Sequence, residues 1–179
     1  MKNITVKQFS EKPDIRYTAL LSSLVPNNLF AGKQSNIGRL PYLDVIAWYE
    51  KITKIKDLHG MCDLFTFIFD IEEIEFWNAS IVDYFSAKNF IEQDFKTRQE
   101  SEAKLLSGGS VDKLKWEAAG GNSLRAFSKT SPLDDLAKRY GGYPFDYGRK
   151  PYNDILHLIT MSIRKNIVSN NYQKLLNEK

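Results

Sequence analysis

Metal binding and nucleophilic chemistry begin with imidazoles and thiols, and the chain offers His59, Cys62 and His157. His59 and Cys62 are three residues apart, so one helical turn would bring them together. Two ligands do not close a tetrahedral zinc site. With Met61 and Phe65 beside it, Cys62 reads as a packed, inert thiol. His157 follows Asp154 by three residues and Asn153 by four, a spacing that would let Asp154 orient the ring for acid–base work. No nucleophile is linked to it, and a helical histidine bonded to a neighbour is the plainer account.

The carboxylates Glu72, Glu73, Glu75 and Asp83 fall in one helical stretch, but the Glu-x-x-His pairs of a di-iron bundle occur nowhere. They read as a solvated face, with an acidic docking stripe as the alternative. Gly32-Lys33 approaches a phosphate loop but lacks the glycine five positions earlier, where Asn27 stands, and the following Ser/Thr, where Gln34 stands. The pairs Gly108-Gly109, Gly120-Gly121 and Gly141-Gly142 suit helix ends better than a dinucleotide fingerprint. No G-x-S-x-G elbow is present. The expectation is therefore no catalytic residue, no metal ligand and no cofactor site: a protein that is not an enzyme.

One segment stands apart. From Lys138 to Tyr152 the chain reads KRYGGYPFDYGRKPY, with Tyr140, Tyr143, Tyr147, Tyr152 and Phe145 between the basic pairs Lys138-Arg139 and Arg149-Lys150 and one acid, Asp146. Aromatics among bases can stack on nucleobases and meet phosphates. Tyrosine and arginine equally supply rigid contact area and forked hydrogen bonds to a protein interface. A third reading folds the loop back on the core by its own rings. Tyr140, Tyr143, Phe145, Tyr147, Arg149, Lys150 and Tyr152 are the expected partner-binding residues.

The elements that must position this segment are helical. Residues 13–25 make a short helix with Ile15, Leu20, Leu21, Leu24 and Val25 on its apolar face, stopped by Pro26-Asn27-Asn28. A loop follows to Gly38. Pro41 opens a helix through Val45, Ile46, Trp48, Tyr49, Ile52 and Ile55 that ends near Lys56. Residues 57–69 read as helix, although the density of phenylalanines would also suit a buried strand. Asp70 and Glu73 form a capping-box pattern opening the longest element, about 71–106, whose apolar seam is Ile74, Trp77, Ile81, Tyr84, Ile91 and Phe95. Gly108-Gly109 closes it. Two shorter helices, Ser110 to Ala119 and Pro132 to Tyr140, end at the later glycine pairs. Pro151 opens a final helix whose period runs through Tyr152, Ile155, Leu156, Ile159, Ile163, Ile167 and Leu175. The fold class is mainly α, a compact bundle of about six or seven helices around one long central helix, forming a single domain over 1–179.

With 42% hydrophobic and 13% aromatic residues, the chain can bury a sizeable core, which excludes disorder as its main state. A formal net charge of +3 falls far short of the loading that implies nucleic acid by itself. MKNITVKQFS has neither the apolar region of a signal peptide nor the pattern of a transit peptide, and no apolar run reaches the length of a membrane span. A lone cysteine fits a reducing compartment, so the expected location is cytoplasmic, with no membrane partner. Charge is segregated along the chain. Residues 1–56 carry nine basic and four acidic groups, residues 57–104 four and eleven, and residues 105–179 twelve and seven. Helices folded antiparallel could neutralise one another internally; alternatively the pattern suits association with other subunits or with copies of the same chain.

In size and helix-plus-aromatic-loop character, the stretches LPYLDVIAWYEKI, EFWNASIVDYF and LAKRYGGYPFDYGRKPYNDIL resemble small structural or assembly proteins of tailed bacteriophages. The resemblance implies a virion or assembly component that holds other proteins together, and it assigns a role to no individual residue. The reading is a helical, structural or chaperone-like subunit of a multiprotein complex. The alternative is a small nucleic-acid-binding accessory protein using the 138–152 segment.

Overall fold

A computed structural model describes residues 4–13, 15–106 and 113–177. They are mainly helical, as the periodicity predicts, with one small two-stranded sheet. The chain gathers into two compact units, Met1–Ile37 with Ala47–Gln99 and Gly38–Ile46 with Glu100–Lys179.

In the first unit, α1 (Val6–Glu11) opens on a reciprocal cap. The Thr5 hydroxyl accepts from the Gln8 backbone N–H at 3.2 Å, and the Gln8 side-chain Oε1 accepts from the Thr5 N–H at 3.0 Å. α2 (Ile15–Ser22) buries Leu21, while Leu20 and Val25, expected on the same face, are exposed. The helix stops short of Val25 because the chain turns away: the Ser22 and Leu24 carbonyls accept from the Asn89 amide, and the Asn27 N–H donates to the Ser86 carbonyl. The expected loop that follows contains a hairpin, β1 (Leu29–Phe30) against β2 (Lys33–Gln34). Its two-residue turn, Ala31 and Gly32, has positive φ at both positions, the geometry that matches strand twist. Two-residue strands are too short to show alternation in a sequence.

α3 (Tyr42–Lys51) ends earlier than the expected Lys56 and tightens into a 3-10 turn over Ile52–Lys54. α4 (Leu58–Phe69) is helix, not strand, capped by the Asp57 carboxylate on the Gly60 N–H at 2.8 Å. It buries Met61, Cys62, Leu64, Phe65, Ile68 and Phe69, which accounts for a phenylalanine density that also suited a strand. Asp70 does not open the next helix. It closes α4 in the left-handed conformation, and Glu72 caps α5 (Glu73–Asn78) with the Glu75 carboxylate accepting from its N–H.

The long helix begins ten residues later than Ile71. α6 runs Ile81–Leu106, and residues 79 and 80 separate it from α5. The break is tertiary in origin: the Val6 N–H donates to the Ala79 carbonyl and the Ile81 N–H to the Ile4 carbonyl, both at 2.9 Å, pairing Thr5 with Ser80. These bonds replace two rungs of a continuous helix and rotate the face of α5. Ile74, expected in the seam, is 59% exposed and Trp77 is half-buried, whereas Ile81, Tyr84, Ile91 and Phe95 are buried as expected. The core centres on Phe65, whose ring lies 4.7 Å from Phe30, 5.2 Å from Tyr84, 5.4 Å from Phe76 and 5.5 Å from Phe69.

In the second unit, a short bridge pairs Pro41 with Pro151, where the Tyr42 N–H donates to the Lys150 carbonyl and the Tyr152 N–H to the Leu40 carbonyl. It sets the Tyr42 and Tyr152 rings in a stack 5.9 Å apart. α7 is described over Lys113–Ala118; the expected start at Ser110 and the Gly108-Gly109 stop lie outside the described residues. Gly121, expected to close α7, opens a 3-10 run to Phe127. α8 (Ser131–Tyr140) and α10 (Tyr152–Asn177) match the expected elements, and a short α9 (Pro144–Gly148) occupies the connection between them. α9 packs closely because Gly148 lacks a Cβ, which would stand 2.3 Å from Leu43 Cδ1 and 3.4 Å from Leu133 Cδ1.

Candidate interaction surface

The segment 138–152 is a helix end, a glycine turn and one turn of helix, and its aromatics divide into two sets. Gly141, at φ 81°, ends α8 in a conformation that side chains resist, and its carbonyl accepts from the Tyr147 hydroxyl at 2.7 Å. That bond and Pro144 at the start of α9 turn Tyr147 inward, where it is buried. Tyr152 is fully buried, stacked on Tyr42, with its hydroxyl donating to the Glu102 carboxylate. Tyr147 and Tyr152, expected among the contact residues, thus pack in the interior of the unit.

Tyr143 and Phe145 remain outside, 62% and 48% exposed, with ring centroids 5.7 Å apart, and Tyr140 is exposed nearby in sequence. The basic residues are mostly engaged. Lys138 pairs with Asp134 at 2.5 Å, which raises its pKa through the hydrogen bond first and charge second. Arg139 donates to the Asn166 side chain at 2.8 Å, and the Lys150 ammonium sits 4.7 Å over the Tyr147 ring. Arg149 and Lys150 are exposed. The exposed candidates of the segment are therefore the Tyr143–Phe145 pair and, along the chain, Tyr140, Arg149 and Lys150.

Two of the other chemical candidates, His59 and Cys62, pack against their neighbours. The His59 ring meets the Trp77 ring edge-on at 5.1 Å, and the Trp77 N–H donates to Glu73 at 2.9 Å. Cys62 is buried, and burial first, then Glu73 and Asp63, pushes its thiol up to about 11. That is the opposite of what activates a nucleophile, because the thiolate is the reactive form. Glu75 lies 3.8 Å from Lys33, whose ammonium also donates to the Asp70 carbonyl, so part of the acidic stripe is spent inside the fold. His157 and Asp154 are both exposed on α10. Among the described residues no three His, Cys, Asp or Glu side chains converge as metal ligands, and no helix is long and apolar enough to cross a membrane.

Sequence reasoning missed one surface, the outward side of α10. Its expected seam is buried at Tyr152, Ile155 and Ile159, half-buried at Ile163 and Ile167, and exposed at Leu175. The signal was available in the residues opposite. No protein-family model matches the chain, and no curated protein or solved structure matches it.

Proposed function

We propose that the chain is a non-enzymatic interaction subunit, structural or chaperone-like, that works by holding other proteins in an assembly. The observation that carries this reading is the exposed pair Tyr143 and Phe145, on a turn whose Gly141 carbonyl is held by the hydroxyl of the buried Tyr147. Rigid aromatic side chains lose little entropy on contact and dominate interface energies. The reading agrees with the resemblance to phage structural and assembly proteins. It is favoured over nucleic-acid binding by the commitments of Lys138, Arg139 and Lys150 to Asp134, Asn166 and the Tyr147 ring, since phosphate binding needs basic groups free to exchange counterions.

Affinity capture from native lysate with the wild-type chain and a Tyr143→Ala/Phe145→Ala variant, each also followed by thermal melting, tests the reading. The expected result is a protein partner recovered by the wild type and lost by a variant that melts normally. A variant that keeps its partners, or captured nucleic acid released by modest salt, would overturn it.

A further inference from the structure

The second half of α10 presents an apolar face to solvent. At about 100° per residue, Met161, Val168, Tyr172, Leu175 and Leu176 fall within roughly one 100° sector of the helix, and Asn166, Asn170, Gln173 and Asn177 lie opposite. The opposite side continues the buried one: Ile155, Ile159 and Ser162 are buried, and Asn166 bonds Arg139 of α8. After Ser162 the inward side carries Asn166, Asn170, Gln173 and Asn177 along with the half-buried Ile163 and Ile167, while the outward side gains apolar residues, with Val168 67%, Tyr172 59% and Leu175 64% exposed. Met161, Arg164, Lys165, Val168, Ser169 and Tyr172 line an open groove of about 500 Å³ along this face. An amphipathic helix normally turns its apolar stripe toward the core; this one carries a second apolar stripe on its outward side.

The charge on the helix selects an occupant. From Ile155 to Asn177 there is no acidic residue; at 100° per residue Arg164 borders the stripe and Lys165 falls within it, between Tyr172 and Leu176. Pairing the stripe with itself would set those cations against their copies, whereas an acidic apolar face would neutralise them. The complement exists elsewhere on the chain. Ile74 is exposed beside the exposed carboxylates of Glu72 and Glu73, and it lines a groove of about 310 Å³ with Trp77, Asn78, Lys7, Ser10 and Glu11, between α5 and α1. The geometry points to a head-to-tail contact in which the basic apolar face of α10 of one copy docks on the acidic α5 face of a second copy. Such a heterologous contact leaves one of each surface free on the pair, so association continues beyond a dimer unless it closes into a ring. The contact is independent of the Tyr143–Phe145 surface.

Sedimentation velocity of the full chain across a concentration series tests this with two charge-reversed variants, Arg164→Glu/Lys165→Glu on α10 and Glu73→Lys/Ile74→Lys on α5. All four positions are exposed, and circular dichroism checks that each variant folds. The wild type is expected to self-associate, each variant alone to weaken association by roughly tenfold or more, and the mixture to restore it because each supplies the complement the other lacks. A wild type that stays monomeric at all concentrations overturns the proposal. So does an α5 variant that associates as the wild type does, which would mean α10 pairs with itself. Wild type that is monomeric but sediments with phosphatidylserine vesicles would assign the face to an anionic membrane instead.

Discussion

Two sets of aromatic rings in this protein are equally close and differently used. Around Phe65, rings from β1, α4, α5 and α6 converge at 4.7 to 5.5 Å and are buried. Tyr143 and Phe145 approach to 5.7 Å and stay exposed. Ring contact is thus not what makes a core. Phe65 is enclosed because elements distant in the sequence arrive on every side, whereas Tyr143 and Phe145 meet across a single turn and, among the described residues, stay exposed. A pair of the first kind stabilises the fold, and one of the second kind is available to a partner.

The comparison breaks first at its buried end. Phe65→Ala is expected to cost about 3–5 kcal/mol, as truncation of enclosed aromatics does, measured by urea denaturation. A cost below about 1 kcal/mol would mean the cluster closes over the gap and is not the centre of the core.

Alkaline pH tests the buried phenols next. Burial first, then Glu102, raises Tyr42 from the ordinary 10.0 to about 12. The unfolded chain therefore loses this proton before the folded one does. The associated stability is intact below pH 10 and is lost as pH climbs toward 12. At about 1.4 kcal/mol per pH unit, this amounts to about 3 kcal/mol. Tyr84 shifts the same way, again through burial first and Glu92 second. Thermal melts across this range should fall steeply in the wild type and less steeply in Tyr42→Phe.

A smaller effect is expected at the turn that carries the exposed pair. Tyr147→Phe removes the hydroxyl that donates to Gly141 and should cost about 0.5–1.5 kcal/mol, while leaving the ring beneath Lys150 in place. Hydrogen exchange at residues 141–148 should quicken with it. The smallest effect belongs to Tyr143→Ala/Phe145→Ala, which should change stability by no more than about 0.5 kcal/mol, the ordinary range for exposed positions. A loss of several kcal/mol would put this pair in the same class as Phe65 and remove the basis for reading it as a contact surface.

Much of the helical layout was legible locally. Pro132 and Gly141 bracket α8, Pro151 opens α10, and Asp57 caps α4, because caps and breakers act through backbone groups within a few residues of themselves. The candidate segment was legible as a composition, but not as two sets of rings: Tyr143 and Tyr147 are alike in type and neighbours in sequence, and only the Gly141 turn and α9 send one outward and the other in. The 71–106 helix shows the same limit. Its period continues unbroken through Ala79 and Ser80, and the interruption comes from residues 4–6, more than seventy positions away, whose backbone bonds 79–81. The sequence by itself determined the helical class, the local starts and stops and which residues are apolar. The side of each helix that is covered, and hence whether Ile74, Tyr143 and Val168 are core or surface, was decided by tertiary structure, because burial depends on which distant segments arrive and not on the period that places residues on a face.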